Sequence, residues 1–140
     1  MAKIFYVDSC VWIDLVEDRN DYLRPLGEFA FHFFRGCVEH ECKIICSEFV
    51  LSEITRILGK EKVGFIFEEY KEALVFVEPT KEQIIEAIRL SRKTLNAHYA
   101  DIIHALLARD SGSILITRDK HFDELGEIVI VLKPEEAVFE

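Results

Sequence analysis

Basic charge is scarce in this chain: 17 Lys and Arg stand against 26 Asp and Glu, a formal net charge of −9 at pH 7. A generic nucleic-acid coat needs a basic surface, so that class is excluded. An enzyme that grips nucleic acid locally is not, because a bound divalent cation and a small basic patch reverse the sign nearby. Long hydrophobic runs are also missing. Stretches such as Ile128–Leu132 are far too short to span a bilayer, and charge arrives at Asp8, too early for the apolar core of a signal peptide. The expectation is a soluble, cytoplasmic protein with no membrane partner. Proline is confined to Pro25, Pro79 and Pro134, with no Gly/Ser linker, repeat or low-complexity tract, so residues 1–140 read as a single domain. No C-x-x-C pair occurs among Cys10, Cys37, Cys42 and Cys46, which removes the usual zinc spacing and leaves reduced, structural thiols as the expectation.

What is abundant is apolar: half the residues are hydrophobic and eleven are Phe, enough to exclude global disorder and to build a core without staples. The apolar pattern alternates between strand and helix. Ile4–Val7 reads as a buried strand ending at Asp8, after which Ser9 caps a helix with Val11, Trp12, Leu15 and Val16 on one side. A Phe-rich helix follows over Leu23–His40. Lys43–Cys46 is the second strand, and Ser47 caps a helix with Val50, Ile54, Ile57 and Leu58 inward, stopped at Gly59. Lys62–Leu74 reads as helix and Leu74–Val77 as the third strand. Thr80 and Gln83 stand at capping-box spacing before a helix that buries Ile84, Ile85, Ile88 and Leu95 and ends near Asn96. Ala100–Ser111 is the next helix, Ile114–Thr117 the fourth strand, Phe122–Leu125 a helical turn and Ile128–Val131 the fifth strand. The fold class is α/β: a three-layer α/β/α arrangement around a central, mostly parallel five-stranded sheet.

Parallel sheets of this kind bind ligands outside the carboxyl ends of their strands. Asp8 and Asp119 fall just past such ends, and Glu53 and Asp101 lie on helices next to apolar stretches. Taken singly, each acid has an ordinary explanation. Asp8 suits a turn or cap, and Glu53 suits an i,i+3 pair with Arg56. Asp101 suits a helix N-terminus, and Asp119 a turn. Brought together they are costly, since two carboxylates about 5 Å apart repel by roughly 3 kcal/mol at an effective dielectric of about 20. A cation has to offset such a cluster.

The arrangement of these acids resembles the PIN-domain nuclease family, and particularly its small single-domain VapC-type toxins. The resemblance runs through Tyr6-Val-Asp8-Ser9-Cys-Val-Trp-Ile-Asp14-Leu, Ser47-Glu-Phe-Val-Leu-Ser-Glu53-Ile-Thr-Arg56, Tyr99-Ala-Asp101-Ile-Ile-His-Ala-Leu-Leu-Ala108 and Ile114-Leu-Ile-Thr117-Arg-Asp119-Lys-His-Phe122, in order along nearly the whole chain. Two places depart from the family pattern. His121 stands where many relatives carry a further acid, with Asp123 close by, and Cys10 where a smaller or amide residue is commoner.

The resemblance implies a ribonuclease that hydrolyses phosphodiester bonds with Mg²⁺ or Mn²⁺, hard cations that prefer oxygen ligands. Asp8, Asp101 and Asp119 are the implied metal ligands, and Glu53 completes the catalytic acids. Ser9 and Thr117 are the expected donors that fix the carboxylates. Arg56, Arg118 and Lys120 are candidate contacts to substrate; a second basic group, Arg89, Arg92 and Lys93, reads as a solvated face. The implied partners are RNA, a small antitoxin protein and a second copy of the chain. His98, Asp101 and His104 are spaced by three, but successive steps of three on a helix rotate by about −60°, so the outer two diverge and a zinc site is not expected. The competing readings are a phosphotransfer or phosphatase domain with an acidic pocket, and a catalytically silent binding module. The phosphotransfer reading meets Cys10 where phosphatases place a second Asp, and Glu78-Pro79 at the end of the third strand where receiver domains need an Asp.

Overall fold

A computed structural model describes residues 2–140. Five strands, β1 (Ile4–Val7), β2 (Lys43–Ser47), β3 (Leu74–Val77), β4 (Ile114–Ile116) and β5 (Val131–Leu132), form one sheet in the order β3-β2-β1-β4-β5. Every strand pair is parallel, so the expected mostly parallel sheet is parallel throughout. Helices α1 (Ser9–Glu17), α2 (Leu26–Glu39), α3 (Glu48–Leu58), α4 (Lys60–Tyr70), α5 (Lys81–Ser91) and α6 (Tyr99–Asp110) complete a three-layer α/β/α architecture, with 3₁₀ turns η1 (Lys120–Leu125) and η2 (Pro134–Glu136) near the end.

The sheet is apolar on both sides because its central strands are covered by helices. Phe5, Tyr6, Val7, Ile44, Ile45, Cys46, Leu115 and Ile116 are all buried. Aromatic residues fill the seams. Trp12 of α1 packs against Phe34 of α2 and Phe67 of α4 with ring centroids 4.5 and 4.9 Å apart, while Phe5 of β1 meets Phe33 of α2 edge-on at 5.2 Å. The Phe-rich segment is therefore mostly core, with Phe33 and Phe34 fully buried.

Several boundaries differ from the sequence expectation, each for a local reason. α2 begins at Leu26 rather than Leu23, because the Asp21 carboxylate accepts the N–H groups of Leu23 and Arg24 and Pro25 disfavours helical backbone before it. α4 covers Lys60–Tyr70 rather than Lys62–Leu74: Gly59, at φ 89°, separates it from α3, and Leu74 joins β3. β5 begins at Val131 because the N–H groups of Ile128 and Val129 close a turn onto the Leu125 carbonyl. α5 starts at its capping box, Thr80 with Gln83, but ends at Ser91, not near Asn96. Leu95 is consequently outside the helix and 91% exposed, and Ile85 and Ile88 also face solvent, as does Ile57 on α3.

For function the decisive feature is the place of β1. It lies between β2 and β4, where the chain's path across the sheet changes direction. Parallel register sets Val7 beside Ile116, so the residues just beyond, Asp8 and Thr117, emerge together at the carboxyl edge.

Candidate active site at the carboxyl edge of the sheet

Asp8 ends β1 and caps α1, its Oδ1 accepting the Ser9 N–H at 2.9 Å. The cap is therefore Asp8 itself; Ser9, expected to cap, is the first helical residue and turns its hydroxyl elsewhere. Thr117 Oγ1 donates to Asp8 Oδ2 at 2.7 Å and accepts the Asp119 N–H at 3.0 Å. One hydroxyl thus ties the acid after β1 to the acid after β4. Asp8 is 7% exposed, and burial pushes its carboxyl above the ordinary range against the pull of His104, Thr117 and the Ser9 N–H, with Glu53 adding to the rise.

Glu53, on the exposed side of α3, accepts a hydrogen bond from Ser9 Oγ. Its carboxylate turns to the start of α1 rather than to Arg56, with which it forms no ion pair among the described residues. Asp101 lies in the first turn of α6 and accepts the His98 N–H at 2.9 Å, a charge favoured by the helix end. Asp119 caps η1, accepting the His121 N–H at 2.9 Å. Asp101, Asp119 and His121 each present a ligand atom within 4.8 Å of the others.

His104 is the hub beneath these groups. It is buried on α6, where the charges of Asp8, Glu53 and Asp101 favour its protonated form. Burial nevertheless holds the imidazole below its ordinary pKa and neutral. The Tyr6 hydroxyl donates to Ser47 Oγ at 2.7 Å and lies 2.6 Å from His104 Nδ1. His104 is accordingly a fixed strut between β1, β2 and α6, and not a partner of His98 in a metal site.

The candidate cations divide. Arg118 is 11% exposed at its side chain: its guanidinium makes two bonds to Glu135, at 2.6 and 3.1 Å, and its buried Nε, which has no hydrogen-bond partner, lies at ion-pair distance, 3.6 Å, from the buried Asp14. It ties the β4 edge to α1 and η2. Lys120 is exposed and free of ion pairs among the described residues. It lines a cavity of about 270 Å³ with Arg24, Thr117, Asp119 and Lys133, beside the Asp119 carboxylate. Arg56 is exposed on the last turn of α3.

The donor chemistry suits a hard divalent cation: carboxylate oxygens from Asp101 and Asp119, with Asp8 tied alongside through Thr117, none of them in an ion pair with Lys or Arg among the described residues. Of the four acids singled out in the sequence, Asp101 and Asp119 lie in this ligand-spaced group, Asp8 is tied to it through Thr117, and Glu53 stands outside it on α3; two further residues were passed over. His121 was set down as a departure from the family pattern, although its i,i+2 spacing from Asp119 was the available signal. Asp14 gave none, since its role depends on Arg118 arriving from a distant strand.

A three-layer α/β/α fold with an acidic pocket at the carboxyl edge of its sheet defines the class of the molecule. The chain belongs to the PIN domain family, whose sequence pattern matches residues 5–128. Among solved structures, one similar chain comes from VapBC2 of Rickettsia felis, crystallised with a DNA fragment from their promoter. It has a TM-score of 0.69 and 13% identity, covering 93% of this chain and 98% of that one. Another is PAE2754 from Pyrobaculum aerophilum, with a TM-score of 0.57, 17% identity, and coverage of 94% and 92%. Comparison with curated proteins returned no match.

Proposed function

We propose that this chain is a divalent-metal-dependent endoribonuclease, the toxin half of a toxin–antitoxin pair. The observation that carries the proposal is the convergence of Asp101 and Asp119 to ligand spacing at the sheet's carboxyl edge, with Asp8 joined to Asp119 through the Thr117 hydroxyl. Family membership supports the nuclease chemistry, and the likeness to a VapBC2 chain supports the toxin assignment.

In this reading Asp8, Asp101 and Asp119 hold Mg²⁺ or Mn²⁺, directly or through water. The cation, when bound, lowers the pKa of a water and neutralises charge on the attacked phosphate. Glu53, held toward the start of α1 by the Ser9 hydroxyl, orients the attacking water from the exposed side and accepts its proton. Thr117 keeps the Asp8 oxygen aimed, so the acid needs no reorganisation when substrate arrives. Lys120, with Lys133 on the adjoining cavity, offers the phosphate backbone a positive edge in an otherwise acidic molecule. Arg56 supplies a further contact from α3. Arg118, committed to Glu135 and largely buried beside Asp14, positions the Asp119 loop and does not meet phosphate.

The phosphotransfer alternative loses ground. Glu78 follows the edge strand β3, which β2 separates from β1, so it cannot join the pocket around Asp8. Cys10, a half-buried thiol 3.6 Å from Asp8 Oδ2, is no carboxylate and cannot serve as the second acid of a phosphatase.

The test is incubation with single-stranded and structured RNA in Mg²⁺, Mn²⁺ or EDTA. Cleavage by the wild type in the metals alone, with Asp101→Asn and Asp119→Asn reduced by about 100-fold or more, is the expected result. Equal cleavage by Asp101→Asn overturns the site. Metal uptake without cleavage of any RNA returns the chain to the silent-module reading. Copurification of a small inhibitory protein checks the toxin assignment, and light scattering checks self-association.

A further inference from the structure

The ligand-spaced group around Asp101 and Asp119 includes a side chain that is not an acid. His121 lies in the first turn of η1, where the Asp119 carboxylate accepts its backbone N–H at 2.9 Å. That cap fixes the backbone so that the His121 ring comes to the same side as the carboxylate, with Nδ1 3.2 Å from Asp119 Oδ1. The ring also meets His98 edge-on, with centroids 5.4 Å apart, and His98 is itself bound through its N–H to Asp101. The interactions that place the two carboxylates therefore place the imidazole as well. Its nitrogen falls within the same 4.8 Å spacing as the carboxylate oxygens.

We infer that His121 contributes a nitrogen ligand beside Asp101 and Asp119, and that the site consequently selects Mn²⁺ over Mg²⁺. The inference rests on the metal site proposed above and concerns which ion it holds. Mg²⁺ takes oxygen and water and gains little from imidazole. Mn²⁺ shares the oxygen preference, yet stands on the first-row series in which imidazole nitrogen is an accepted donor. Exchanging one carboxylate for a neutral nitrogen also removes a negative charge from the ligand set, which weakens the purely electrostatic attraction on which Mg²⁺ depends. An ordinary surface histidine paired with Asp119 would share the 3.2 Å contact but leave the two ions indistinguishable.

Calorimetric titration of the purified chain with Mn²⁺ and with Mg²⁺, joined to pulsed electron paramagnetic resonance of the Mn²⁺ form, decides between them. The expected result is tighter binding of Mn²⁺ and a ¹⁴N coupling on the bound ion. His121→Ala should lose that coupling and about tenfold in Mn²⁺ affinity, with Mg²⁺ affinity changed less than about twofold; His98→Ala should keep the coupling. His121→Asp, restoring an oxygen, should narrow the Mn²⁺ preference. Mn²⁺ binding without a ¹⁴N coupling, or with affinity unmoved by His121→Ala, overturns the inference and leaves the metal site standing. A wild type that binds neither ion overturns both. Because the coupling is read on the wild type, the conclusion does not depend on any variant folding.

Discussion

Asp8 is the residue whose two tasks conflict most. As the cap of α1 it needs only an oxygen; as a cation ligand it needs a charge, and the fold makes that charge costly by burying it. Its folded pKa is raised above the unfolded value, so its contribution to stability is fully present below the ordinary carboxylate range and is lost as pH rises through the folded value. At pH 7 the ionised side chain therefore destabilises the metal-free protein. Asp8→Asn keeps the cap and the acceptor for Thr117 while removing the charge. We expect it to raise the melting temperature of the EDTA-treated protein at pH 7 by about 3–5 °C, the response of a chain this size to about 1 kcal/mol, with the gain shrinking as pH falls toward 4. The same variant should have no metal-dependent cleavage. Thr117→Val makes the complementary case: it retains every acid but unties Asp8 from Asp119, and should lower cleavage about 10- to 100-fold with circular dichroism unchanged. At this scale the sequence was informative about acids and poor about their supports. An acid after a strand advertises itself, whereas Tyr6, Asp14 and His104 look like core until their partners arrive.

Among the elements, two connections position the pocket from outside it. The segment between α5 and α6 has no regular structure, and the Glu124 carboxylate gathers it by accepting the N–H groups of Leu95, Asn96 and Ala97. Those bonds hold Glu124 below the ordinary glutamate range, so the tether is intact above that range and released as pH falls through the depressed value. Glu124→Ala should speed amide exchange at Leu95, Asn96 and Ala97 and weaken metal binding, since α6 and Asp101 follow directly. The second connection is Arg118. Removing its guanidinium strips the buried Asp14 of its principal counter-charge, and we expect Arg118→Ala to cost roughly 3 kcal/mol by urea unfolding, with Lys a poor replacement because it cannot fork onto Glu135. Element types and order were legible from apolar periodicity and caps: Ser47 and the Thr80–Gln83 box start their helices where expected. Ends were less so. The premature end of α5 turns on a loop held by a side chain from η1, a contact that no local pattern announces.

For the molecule as a whole, the thiols offer a direct probe of packing. Burial drives the Cys46 thiol up to about 12, so it forms no thiolate at working pH, and a thiol reagent at pH 8 should leave it untouched until the protein is unfolded. Labelling of Cys46 in the native state would contradict the packing described. What the sequence determined by itself was the alternation that makes a parallel α/β sheet, the apolar strands at its centre and the acids Asp8, Asp101 and Asp119 near element ends. Each of these is written in local spacing, because strand and helix periods are properties of neighbouring residues. Only the tertiary structure decided that β1 lies between β2 and β4, that one threonine joins two acids 111 positions apart in sequence (8 to 119), and that an imidazole shares their pocket. Those facts depend on contacts between residues far apart along the chain, and such contacts exist only once the sheet has set its order.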